Sequence, residues 1–209
     1  MPRGIKRSVS LFLGLIVIGF LSGCAARTYL KVDYNVPNAA QDLRGQVVHL
    51  RVTDQRTSPS ILTTDAARQF PEFSGVYSLA WIMPDQQRIL AGEHHLAELF
   101  ETVFEKRLNA LGGGTTDSTD AGTPVLTIEL KQISIDLQNH KWKAALNYEA
   151  VLSREGHPLA KESIRGSAER VQIIGIKGAD TMFGEIFSDV VNRLDLIKLF
   201  GNARLIREP

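Results

Sequence analysis

Between residues 124 and 174 the chain alternates apolar and polar side chains with a period of two, interrupted once. In PVLTIELKQISIDLQ, Leu126, Ile128 and Leu130 share one parity, and Ile133, Ile135 and Leu137 share the other. A strand with one buried face cannot cross that switch without an extra residue, so the spacing predicts a bulge near Lys131-Gln132. Asn139-His140 predicts a turn, after which Trp142, Ala144, Leu146, Tyr148, Ala150 and Leu152 line one face of a second strand. Glu155-Gly156-His157-Pro158 predicts another turn and residues 159–174 a third strand, which completes a meander.

A sheet of this kind must bury one face, and two segments of helical period supply the cover. Leu96, Leu99, Phe100, Val103, Phe104, Leu108 and Leu111 form one stripe, stopped by Gly112 to Gly114. Phe183, Ile186, Phe187, Val190, Val191, Leu194 and Ile197 form the other, over about Thr181 to Leu199, with Asp180 as the expected N-cap. Upstream, Val48, Leu50 and Val52 predict a strand over Val47 to Asp54, ending in the turn residues Asp54-Gln55-Arg56-Thr57-Ser58-Pro59. Residues 60–74 read as a loop, Val76 to Met83 as a strand, Pro84-Asp85 as a turn and Arg88 to Leu90 as a short return strand. The expected fold class is α+β: a two-layer domain with a mainly antiparallel sheet, a three-stranded meander and two helices packed on one face.

The N-terminus obeys different rules. Arg3, Lys6 and Arg7 precede the apolar run Val9 to Leu21, and Cys24, the only cysteine, follows Ser22 and Gly23. A basic start, an apolar run and a small-residue exit make a secretory signal, excluded from fold reasoning. The run is also shorter than the ~20 residues of a spanning helix. Leu21-Ser22-Gly23-Cys24 resembles the lipobox of bacterial lipoproteins, where small residues let a peptidase seat the extended chain and leave the thiol reachable. That resemblance implies cleavage before Cys24, diacylglycerol on its sulfur and an acyl chain on its amine. Three chains exceed the two signals that stable anchoring needs. Ala25, rather than Asp, follows Cys24, and by proteobacterial sorting rules this implies delivery to the outer membrane with the body facing the periplasm.

On this reading residues 1–23 are the signal peptide and 24–45 the lipidated N-terminus and a tether leading into a short edge strand. Residues 46–200 form a single periplasmic α+β domain and 201–209 a tail. Removing the three basic residues of the signal takes the net charge from +1 to −2. No basic stripe points to nucleic acid, and with one cysteine no intrachain disulfide forms.

The chemistry-bearing residues are few. No Gly-x-Ser-x-Gly elbow occurs, and Gly112-Gly113-Gly114 follows a helix and lacks the lysine of a phosphate loop. His94 and Glu98 would share a helix face, but with His95 they supply no third placed ligand for zinc; polar residues solvated at a helix start are the expectation, with no metal and no cofactor beyond the acyl groups on Cys24. Lys141 and Lys143 read as a wet face with Trp142 inward. Asp54 and Arg56 are the candidate partner contacts, against a competing structural role in capping the turn.

The lipobox, a strand ending VTDQRT, a Leu/Phe-rich helix, the ELKQISIDLQ and KWKAALNYEAVL pair and a closing helix with DVVNR together resemble the YajG-type lipoproteins. The segment between Arg56 and the first long helix is longer than in that pattern. The resemblance implies a fold like that of lipoproteins assisting envelope assembly and lipid transport. The lipobox and the missing catalytic set point to a non-catalytic envelope accessory protein, held to a membrane by its lipid and docking on another envelope protein. An alternative is a carrier of lipid or another apolar ligand, supported by Phe100, Phe104, Phe183 and Phe187; an envelope hydrolase is a third reading.

Overall fold

The computed structural model describes residues 28–118, 120, 122–171 and 177–206. Its first half contains β1 (Thr28–Asn35), β2 (Val47–Asp54), the one-turn helix α1 (Thr64–Ala67), β3 (Phe73–Ile82) and β4 (Arg88–His95). Then come α2 (Leu96–Ala110), the short β5 (Gly114–Thr115), β6 (Val125–Gln138), β7 (Lys141–Arg154) and β8 (His157–Val171). Helices α3 (Lys177–Arg193) and α4 (Leu196–Asn202) close the chain.

The meander forms as its alternation dictates. β6 pairs with β7 from Val125 opposite Ser153 to Gln138 opposite Lys141, and the register slips between Leu130 and Gln132. Lys131 is the extra residue, which allows Leu126, Ile128, Leu130, Ile133 and Ile135 all to be buried. Both hairpins are two-residue turns with positive φ, at Asn139 (50°) and His140 (57°) and at Glu155 (51°) and Gly156 (78°), the geometry that matches strand twist.

The α+β class holds, but the strands divide between two mixed sheets. One has the order β1-β3-β4 and the other β5-β2-β6-β7-β8. β1 runs parallel to β3, and β2 runs parallel to both β5 and β6. Parallel neighbours need long crossovers, and the chain provides them by alternating between the sheets. The polar stretch read as a tether contains β1, an edge strand whose Leu30, Val32 and Tyr34 are fully buried.

α2 and α3 each touch strands of both sheets. Aromatic rings mark the route: Tyr148 of β7 meets Phe104 at 5.7 Å, Phe100 meets Phe187 at 5.0 Å, and Phe183 stacks on Tyr77 of β3 at 5.8 Å. Each such ring removed from water contributes roughly 1.5–3 kcal/mol. The one expected closing helix is two. α3 stops at Arg193, and the Asp195 carboxylate accepts the Lys198 N–H at 2.9 Å to start α4. Arg107 of α2, buried, donates to the Val191 carbonyl at 2.6 Å, to that of Asn192 at 3.1 Å and to that of Leu194, and so caps the C-terminus of α3 with charge of the favourable sign.

α3 also covers the open edge of β1. Asp180, Gly184, Ser188 and Asn192 recur every four residues along one side of the helix. The Lys31 N–H bonds to Asp180. The Asn35 N–H donates to Ser188 Oγ at 2.9 Å, Asn192 Nδ2 donates to the Asn35 carbonyl at 2.8 Å, and Tyr34 Oη donates to Asn192 Oδ1. At Gly184 a Cβ would stand 3.2 Å from the Asp33 nitrogen, so the bare backbone permits this approach. Asp180, expected as the N-cap, lies inside the first turn, because α3 begins at Lys177.

Candidate functional site

Cys24 and the Leu21-Ser22-Gly23-Cys24 motif lie outside the described residues. No helix among the described residues is long and apolar enough to cross a membrane.

Asp54 and Arg56 lie where two parallel strands separate. β2 pairs with β6 as far as Asp54 opposite Leu130, where the bulge begins. The chain rejoins β6 only beyond the bulge: Ile135 N–H donates to the Ile61 carbonyl at 2.6 Å and Thr63 N–H to the Ile135 carbonyl at 3.0 Å. Between these points residues 57–60 arch away from the sheet, exposed at every position. The bulge read from the parity switch therefore has a counterpart: an arch on the neighbouring strand opposite the extra residue.

Arg56 anchors the base of the arch. Its Nε and Nη2 donate to the two Asp54 carboxylate oxygens at 2.8 and 2.7 Å, and Nη2 reaches the Pro59 carbonyl at 3.2 Å. The Asp54 carboxylate also accepts the Arg56 backbone N–H at 3.1 Å. These bonds hold the Asp54 carboxyl below its ordinary pKa, the side-chain bond from Arg56 being the largest cause. The structural role set against partner contact is present: Asp54 closes the turn, and Arg56 pairs with it locally. Yet the Arg56 side chain is only 7% exposed, and its Nη1 is buried without any hydrogen-bond partner.

Two clefts meet at Arg56. One, of about 250 Å³, is walled by Thr57, Ser58, Ser60, Lys131 and Ser134. The other, of about 330 Å³, is walled by Pro59, Ile61, Phe73, Tyr77 and Leu96. Lys131, the bulged residue, bonds Gln55 Oε1 and Glu129 Oε2, both at 2.6 Å, and so ties the bulge to the end of β2 just before the arch. Burial holds the Tyr77 phenol protonated well above its ordinary range.

The other sequence candidates resolve into structural roles. His94 belongs to β4 and not to a helix, so it shares no helix face with Glu98; its Nε2 lies 3.1 Å from the Ala91 carbonyl. Glu98 instead accepts the His95 N–H at 3.1 Å at the start of α2. Trp142 is fully buried, and Lys141 pairs with Glu169 at 2.7 Å. Phe100, Phe104, Phe183 and Phe187 are all fully buried in ring contact with one another or with tyrosines. They fill the space between helices and sheets that an apolar ligand would have occupied.

A second surface was not legible as functional. β4 is a terminal strand of its sheet, and no strand among the described residues pairs with its outer edge. It exposes Ile89 (41%) and Leu90 (69%). The sequence placed a short return strand here over Arg88 to Leu90; the structure extends it to His95, with Ala91 bulged out of register between Leu90 and Gly92. The signal available was an apolar pair next to a turn, which reads equally well as core.

These features define a two-sheet α+β domain with an arch-and-bulge cleft at one strand junction and an open sheet edge. No protein-family model matches the chain and no curated protein matches it. Its fold is similar to that of a Xanthomonas campestris protein of family DUF330, with a TM-score of 0.53 and 12% identity over 83% of this chain and 97% of that one. A minor lipoprotein from Acinetobacter baumannii overlaps with a TM-score of 0.38 and 15% identity over 53% of this chain and 87% of that one. The first likeness establishes the fold and nothing finer.

Proposed function

We propose that the chain is a YajG-type lipoprotein of the bacterial outer membrane, a non-catalytic accessory that docks on another envelope protein from the periplasmic side. The lipobox supports the anchor and the address. The observation that carries the docking role is the outer edge of β4. An edge strand offers a row of main-chain donors and acceptors that only another main chain complements, and proteins that leave one open normally guard it with charge or cover it. Here the edge carries Leu90 at 69% exposure. The occupant is an extended segment of the partner, adding a strand to β4 and seating an apolar side chain beside Leu90.

A photo-crosslinker in place of Leu90 tests this in the native envelope. The expected result is an adduct with one partner polypeptide, absent with the crosslinker at exposed Glu101 of α2 and lost in Cys24→Ala, whose body is not tethered. Identical patterns at both positions, or an adduct only with a second copy of the chain, would overturn the docking role. Intact-mass measurement of the native protein checks the anchor separately: the acyl groups on Cys24 must be present.

A further inference from the structure

We propose that the arch-and-bulge cleft is a binding site for an amphiphilic oxyanion, a carboxylate or phosphate group carrying a hydrocarbon chain. This rests on Arg56 and goes beyond the docking role at β4. A guanidinium has five N–H donors; Asp54 and Pro59 engage those of Nε and Nη2, while Nη1 is buried with no acceptor. A buried cationic donor without a partner is costly, and native proteins seldom leave one so. An oxygen from a ligand supplies the missing acceptor, and a charged oxygen supplies the stronger bond.

The two clefts specify the rest of the ligand. Thr57, Ser58, Ser134 and the Lys131 ammonium line only the first cleft, Phe73 and Leu96 only the second, and Ser60 and Ile61 border both. A head group fits the first and an apolar chain the second, with the guanidinium between them. The arch supplies the way in. Ser58 Oγ donates to the Ser60 carbonyl at 3.1 Å within it, and its ties to the flanking chain are the Arg56–Pro59 contact and the bonds of Ser60 Oγ with the Leu62 carbonyl and N–H. Residues 57–60 take no part in the pairing of β2 with β6, which ends at Asp54, so they can shift while that pairing stays intact. Asp54 is the built-in competitor, because its carboxylate occupies the face of the guanidinium that a ligand anion would prefer.

The full chain in phosphatidylcholine nanodiscs, measured by equilibrium dialysis against empty nanodiscs, tests the site with decanoate, decyl phosphate and inorganic phosphate. Saturable binding of decanoate or decyl phosphate at one per chain is expected. Decanoate alone would identify a free fatty acid as the source, and decyl phosphate alone a phospholipid head. Asp54→Asn, which keeps one acceptor for Nε–H, should tighten binding at least about tenfold by removing the competing charge. Arg56→Gln should abolish it, and Phe73→Asn should weaken the chain-bearing probes without touching inorganic phosphate. The proposal is overturned if neither amphiphile binds the wild type or Asp54→Asn. It is overturned equally if inorganic phosphate binds as tightly as decyl phosphate, or if a folded Arg56→Gln binds undiminished.

Discussion

The three-stranded sheet has two edges, and the chain treats them oppositely. At β1 the main chain is bonded by α3: Asp180 takes the Lys31 N–H, Ser188 the Asn35 N–H, and Asn192 donates to the Asn35 carbonyl. Gly184 lets the helix come close enough to do so. At the outer edge of β4 no such helix lies alongside among the described residues, and the apolar Ile89 and Leu90 are exposed. One edge is closed by a dedicated polar stripe on a helix; the other is left able to accept a strand. The contrast matters because covering an edge requires a helix to spend four positions on polar or missing side chains that would otherwise bury apolar surface. Where that sacrifice is made, the edge is structural. Where it is not, an open strand is a liability unless something uses it.

The largest effects should come from loosening the helix that closes β1. Arg107→Met keeps side-chain length but leaves the carbonyls of Val191, Asn192 and Leu194 without their buried donor. A loss of about 3–4 kcal/mol is expected in urea unfolding, and hydrogen exchange should accelerate at the Lys31 and Asn35 amides before it does in β7. If those amides stay protected, α3 does not shield β1. Gly184→Ala should cost less, about 1–2 kcal/mol, because the added Cβ meets the Asp33 nitrogen at 3.2 Å and must push helix and strand apart. Its exchange signature should be the same, confined to β1.

The sequence revealed the meander almost completely, and for a physical reason. Side chains on a half-buried strand alternate with a period of two, so Leu130 and Ile133 could not both point inward without the bulge found at Lys131. The two long helices were legible from their apolar stripes. Hidden from the sequence was the division into two sheets, since β1 and β2 carry the same local pattern whether they pair with each other or with distant strands. Asp180, Gly184, Ser188 and Asn192 were visible as residues but not as a set, because a polar stripe declares nothing about which backbone it meets. At the candidate site Asp54 and Arg56 stood out, but the unpartnered Nη1 depends on how distant segments pack around the guanidinium.

A smaller and conditional effect belongs to Asp180. Burial raises its pKa from 3.8 to about 6, against the opposing bond from the Lys31 N–H, and its Oδ1 has no partner. The folded protein then holds this proton more tightly than the unfolded chain does, so between about pH 4 and 6 the folded state binds more protons and stability falls as pH rises. Asn at this position still accepts the Lys31 N–H but never ionises. Asp180→Asn should therefore melt with the wild type below about pH 4 and above it at neutral pH, the gap opening as the carboxyl ionises. A gap that is constant across this range would show that Asp180 is not the group responsible.

The smallest effect on stability, and the sharpest test of the contrast, is at the open edge. Leu90→Lys places a charge on an exposed side chain that packs against nothing in the core, so unfolding free energy should change by no more than about 0.5 kcal/mol. A lysine on an edge strand is also the common device for refusing an incoming strand. Recovery of the crosslinked partner through a probe at neighbouring Ile89 should consequently fall severalfold although the fold is unaltered. The matching change at the closed edge, Lys31→Leu, removes an exposed charge where α3 already occupies the main chain, and it should recruit no partner at all. Were Leu90→Lys to destabilise the domain as much as Gly184→Ala, Leu90 would be part of the core's support, and β4 would be closed by contacts that the exposed leucine conceals.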